Sequence, residues 1–174
     1  MINEHAMQSN CQTWSTPSEL LPGIRSLFQG TIALDPCTSS NNPLRATRFY
    51  TERDDGLLYP WEDRTWCNPP FGSRVHWSKR EFGDSVWDWI LKAQAEASNG
   101  FRIGLYLSVS RTDRPPFQDL IREATCFQFL EGKQRHGGQN DRGAMLANWI
   151  FWFNVPAGEV QAHLGHRGVV CTSC

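Results

Sequence analysis

The 174-residue sequence predicts one α/β domain built on a mostly parallel sheet that ends in an antiparallel hairpin. Three observations predict it. Short apolar runs of strand length alternate with segments whose apolar residues recur at helical spacing. Two of those runs end abruptly in polar signatures, Asp35-Pro36-Cys37 and Asn68-Pro69-Pro70-Phe71. The last two apolar runs, Cys126 to Leu130 and Asn148 to Val155, have no helical pattern between them, so they are expected to pair antiparallel.

Residues 1–13 are polar and read as a flexible N-terminal tail. Thr16-Pro17-Ser18-Glu19 has the form of a capping box, with threonine at the cap and proline at the first helical position. Leu20, Ile24, Leu27 and Phe28 follow at helical spacing, Pro22-Gly23 predicts a kink or a broken helix, and Gly30 ends the helix. Thr31 to Leu34 is a strand carrying Asp35 at its carboxyl end. Residues 37–64 read as loop with a short strand near Arg48-Phe49-Tyr50, and Thr65-Trp66-Cys67 is the next strand. A helix capped by Asp84 or Ser85 buries Val86, Trp89, Ile90, Ala93 and Ala97 and ends at Gly100. A strand spans Arg102 to Val109. Thr112 or Asp113 caps a helix carrying Phe117, Leu120, Ile121 and Ala124. The catalytic domain is expected over 14–156, with 157–174 as a C-terminal extension.

Composition narrows the function classes. Hydrophobic residues make up 40% of the chain and charged residues 20%, a globular balance. The net charge is -1, so any nucleic-acid contact must come from a local basic patch rather than bulk charge. No apolar stretch is long enough to span a bilayer, and the N-terminus lacks the apolar core of an export signal, so a cytoplasmic location is expected. The six cysteines are scattered. Cys171 and Cys174 form a lone pair where zinc needs four ligands, so no metal site is expected.

The chemistry is carried by Asn68-Pro69-Pro70-Phe71. The Asn68 side chain offers a carbonyl acceptor, and Pro69, which has no N–H, offers its own carbonyl. Two prolines fix φ, so the acceptors are set before a ligand arrives. Together they take both hydrogens of a planar NH2 group and turn its nitrogen lone pair toward a methyl donor. Phe71 gives a face on which an extruded base stacks. In a parallel α/β sheet this strand end and that of Asp35 lie on the edge where ligands bind. Arg74, Lys79 and Arg80 with Trp77 between them suit a DNA strand, and Arg135 lies in a second basic loop.

The series Trp14-Ser15-Thr16-Pro17, Leu34-Asp35-Pro36-Cys37, Tyr50-Thr51, Asp54-Asp55-Gly56-Leu57, Trp61 and Asn68-Pro69-Pro70-Phe71-Gly72 resembles the phage-type, Dam-like DNA N6-adenine methyltransferases. The likeness runs from about Trp14 to Asn154. It implies a Rossmann-like methyltransferase sandwich, S-adenosylmethionine as cofactor, DNA as partner and host cytoplasm as the setting. It makes Asn68, Pro69, Pro70 and Phe71 catalytic. It places Trp14, Thr16, Pro17, Asp35, Pro36, Cys37, Asp55 and Asn68 at the cofactor, with Thr16 and Pro17 beside the methionine part and Asp55 near the adenine. The first loop, Cys37 to Asn42, has no glycine, no acidic residue that would hold the ribose is visible, and Phe71 stands where tyrosine is more usual. The same tetrad serves N4-cytosine and glutamine-amide methylation, and a catalytically inactive DNA-binding module of the same fold is the remaining alternative. Oligomeric state is not set by the sequence.

Overall fold

The computed structural model describes residues 15–70, 86–108, 112–134 and 147–173. Among these the strands are β1 (Leu34–Asp35), β2 (Arg48–Phe49), β3 (Thr65–Cys67), β4 (Ile103–Ser108), β5 (Cys126–Leu130), β6 (Asn148–Phe153) and β7 (Gly168–Thr172). The helices are α1 (Leu21–Leu27), α2 (Val86–Ala97), α3 (Pro115–Glu123) and α4 (Ala157–Leu164).

The strands form one mixed sheet in the order β2-β1-β3-β4-β6-β5-β7. The ladders from β2 through β4 are parallel. Those joining β4, β6, β5 and β7 are antiparallel. Since β5 opposes β6 and β6 opposes β4, β5 runs with the first four strands, and only β6 and β7 are reversed. The antiparallel pairing of β5 with β6 was expected; the third antiparallel ladder, to β7, was not.

Period-two alternation builds two cores. Ile103, Leu105 and Leu107 of β4 join Phe151 and Phe153 of β6 under Trp89, Ile90 and Ala93 of α2 and Phe117 and Leu120 of α3. Tyr106, Ile150 and Trp152 face the other way, against Ile24 and Leu27 of α1 and Val160 and Leu164 of α4. The result is a sheet with two helices on each face. Gly104 makes one close fit possible: Trp66 and Trp152 flank it on β3 and β6. A Cβ there would lie 2.7 Å from atoms of both indoles.

The structure decides three local expectations. Pro22 lies in the first turn of α1, where its missing N–H has no helical partner to lose, and the break in the helical segment falls just before it, between a 3-10 turn and α1. The chain enters α1 through a 3-10 turn at Ser18–Leu20 that has no side-chain cap; the Thr16 hydroxyl instead accepts from the Trp66 indole N–H at 2.9 Å. Neither Thr112 nor Asp113 caps α3; Arg114 is the N-cap and Pro115 starts the helix. The proposed caps of α2, Asp84 and Ser85, lie outside the described residues.

The C-terminal extension, residues 157–174, carries elements of its own. It adds α4 to one face and β7 to the sheet, which makes β5 an interior strand. The fully buried Gln128 of β5 donates to the Leu164 carbonyl at 2.7 Å and holds the end of α4 on the sheet. No helix among the described residues is long and apolar enough to cross a membrane. No group of three or more His, Cys, Asp or Glu among them could hold a metal ion.

Candidate active site at the carboxyl edge

β1 lies between β2 and β3, so the chain turns to one side of β1 first and to the other side later. That reversal is a topological switch point, and the crevice beyond its carboxyl ends is where open α/β sheets bind ligands. Asp35 ends β1, and Asn68-Pro69-Pro70 follows β3 directly. The two polar signatures therefore meet at one place in the fold.

Two sulfurs join them. Cys37 Sγ lies 3.5 Å from Cys67 Sγ, and both residues are buried. The backbone N–H of Asn68 also donates to the Cys37 thiol. Burial pushes the Cys37 thiol well up, reinforced by the neighbouring Cys67 and the Asp35 charge, and burial likewise raises Cys67.

Asp35 is 2% exposed. Burial pushes its carboxyl up to about 7, against the lowering pull of the Cys37 amide and the Thr38 side chain. The Cys37 N–H reaches Asp35 Oδ1 at 3.3 Å. A carboxyl so desolvated gains most from a cationic ligand group brought close to it.

The Asp-Gly-Leu…Trp block has a packing reason. Gly56 lies so close to the Pro36 carbonyl that a Cβ would come within 1.9 Å of its oxygen. The Trp61 indole donates to the Gly56 carbonyl at 3.0 Å, and the Trp61 amide donates to the Glu96 carboxylate of α2 at 3.2 Å. Leu57 and Trp61 enter the core over α2. Asp55 is thus carried against the β1 loop, buried, with positive φ (58°) and its Oδ1 accepting from Leu57 N–H at 3.2 Å.

The glycine-free loop after β1 is held by asparagine. Asn42 takes φ 41°, and its carboxamide bonds both the N–H and the carbonyl of Ala46 at 2.9 Å. The Arg25 guanidinium donates to the Pro43 and Leu44 carbonyls and ties the loop to α1.

The structure therefore gathers Thr16, Asp35, Pro36, Cys37, Asp55, Asn68, Pro69 and Pro70 around the carboxyl ends of β1 and β3, with Pro17 buried beside Thr16. Thr16 reaches the group through Trp66, the residue two before Asn68. Trp14, Phe71, Arg74, Lys79, Arg80 and Arg135 lie outside the described residues.

The sequence reading missed a polar pair along the same edge. The Tyr106 hydroxyl donates to Asn148 Oδ1 at 2.7 Å, and both residues are buried. Asn148 opposes Ser108 at the carboxyl end of β4. Tyr106 reads as another apolar position of its strand, and only the fold brings its hydroxyl to Asn148.

A sequence model of the DNA N-6-adenine-methyltransferase (Dam) family matches residues 3–112, well over half of the chain. The chain belongs to the Dam family. No curated protein sequence matches it. The family match covers every residue gathered at the ends of β1 and β3 and ends before α3, so it spans β1 through β4 with α1 and α2, and leaves out Asn148. The remaining elements of this Dam-family chain, from α3 to β7, complete the sheet beyond the matched region.

Proposed function

We propose that this chain is an S-adenosylmethionine-dependent DNA methyltransferase of Rossmann-like fold, acting on N6 of an adenine extruded from the helix. One observation carries the reading: Asp35 and Asn68-Pro69-Pro70 meet at the switch point of a sheet that belongs to the Dam family. The residues fit the cofactor. Asp35 is a deeply buried carboxyl of raised pKa, suited to an ammonium group. Asp55, held against the β1 loop by Gly56, is an acceptor for an aromatic amine. Thr16, Pro17, Pro36 and Cys37 shape the remaining walls, and Trp14 is assigned there by family resemblance. When bound, S-adenosylmethionine supplies an electrophilic methyl group on a sulfonium.

Asn68 accepts one N–H of the target amine through its side-chain oxygen, and the Pro69 carbonyl accepts the other. Localising the lone pair on nitrogen in this way needs no base, and none of these groups is one at neutral pH. Pro70 keeps the turn rigid, and Phe71 stacks the base. Stacking of about 1–3 kcal/mol offsets part of the few kcal/mol that extrusion costs. Arg74, Lys79, Arg80 and Arg135 hold the phosphate backbone.

Incubation with methyl-labelled cofactor and DNA, followed by digestion to nucleosides, tests the reading. Label in N6-methyl-2′-deoxyadenosine supports it. Label in N4-methylcytosine moves the chain to the cytosine alternative, and label in neither, with glutamine peptides as a parallel substrate, separates the amide and inactive alternatives.

A further inference from the structure

We propose that Cys37 and Cys67 are an oxidisable pair that switches the site off when it stands without cofactor. The proposal takes its consequence from the methyltransferase reading, while its chemistry stands on the two sulfurs alone.

The geometry points to it. One thiol opens the loop after β1 and the other ends β3, directly before Asn68, so the pair straddles the switch point. Their sulfurs are already in contact at 3.5 Å. The other buried thiol among the described residues, Cys126, has a backbone carbonyl as its sulfur's partner instead, 3.6 Å away on Val155. Closing the pair to a disulfide draws the sulfurs together by roughly 1.5 Å. That movement falls on the two segments whose relative position defines the site.

A peroxide is the oxidant. A thiolate formed from one cysteine attacks a peroxide oxygen and breaks the O–O bond, giving a sulfenic acid and releasing water or an alcohol. The second thiol attacks that sulfur, forms the S–S bond and releases water. In sum two thiols lose two protons and two electrons, and the peroxide takes both. Burial keeps both thiols protonated and out of reach in the closed site, so oxidation waits on local opening of the loop. A ligand seated on Asp35 and Asp55 holds that loop closed and shields the pair.

The test uses the full chain, reduced and then treated with hydrogen peroxide, with and without S-adenosylmethionine. The proposal expects a Cys37–Cys67 linked peptide in the mass map, at least a tenfold fall in cofactor affinity and in methylation, recovery with dithiothreitol, and at least tenfold slower linkage when cofactor is present. Cys67→Ala removes one sulfur without touching a residue assigned to ligand; it keeps reduced-state activity within a few fold and resists peroxide. Where Cys67→Ala does not fold, the peptide map and the affinity of the unsubstituted chain decide. Oxidation that inactivates without this linkage, linkage that leaves affinity intact, or linkage indifferent to cofactor overturns the proposal. A reduced chain that binds cofactor yet methylates no DNA sinks the functional reading, and the switch is still judged by linkage and affinity.

Discussion

On the proposed reading, Asp35 should make cofactor binding pH-dependent in a direction that follows from its burial. Its carboxyl titrates at about 7 in the unliganded fold, far above an exposed aspartate. A cationic ligand group prefers the ionised form. The ionised fraction is about 0.1 at pH 6 and about 0.9 at pH 8, so affinity for S-adenosylmethionine should rise about tenfold across that window and level off above it. Without ligand the sign of the stability effect is opposite. Between about pH 4 and 7 the unfolded chain loses this proton while the folded chain keeps it, so the folded state binds more protons and stability falls as pH rises. Asp35→Asn removes the titrating group. It should bind cofactor weakly and equally at pH 6 and 8, and should melt above the parent at pH 8 because no charge is buried. Titration calorimetry at several pH values, in buffers of different ionisation enthalpy, reads both the affinity and the proton released. An affinity that is flat for the parent, or equally pH-dependent in Asp35→Asn, refutes the assignment of Asp35 to a cation.

Three further outcomes follow from the packing and from the basic residues that follow Phe71 in the sequence. Gly56→Ala forces a Cβ to within 1.9 Å of the Pro36 oxygen, so it should lower cofactor affinity at least tenfold while α3 to β7 stay folded, as read by calorimetry and circular dichroism. Gly104→Ala drives a methyl group between Trp66 and Trp152 and should cost about 1–3 kcal/mol in urea unfolding; an unchanged midpoint would show that the indoles move aside freely. Neutralising Arg74, Lys79 and Arg80 together should weaken DNA binding and flatten its salt dependence, with a change in log–log slope of about 2–3; an unchanged slope removes them from the DNA interface.

The site was legible in the sequence because its residues sit at strand ends. An apolar run stopped by Asp35-Pro36 or by Asn68-Pro69 marks both the strand and the edge on which it opens. The reason for Gly56 and Trp61 was not legible, since both act across chain separations that only packing closes: Gly56 against Pro36, Trp61 against Glu96. Thr16 misled for a related reason. Its spacing to Glu19 fits a capping box, but the Trp66 indole 50 residues on claims its hydroxyl. The C-terminal helix and strand escaped notice because each is short. The α4 stripe rests on Val160 and Leu164, and β7 is a five-residue edge strand with one face open. Their existence depends on β5 having an edge to fill, which is a property of the sheet and not of residues 157–174 alone.

The central claim is that Asn68 aligns the target amine at this edge, and single-turnover methyl transfer by Asn68→Ala tests it most directly, run beside a calorimetric titration of the same variant with S-adenosylmethionine. The claim predicts that transfer to DNA falls by about a hundredfold or more, as expected for losing a positioned acceptor, while cofactor affinity stays within a few fold of the parent. Near-parental transfer by a variant that still binds cofactor would contradict it.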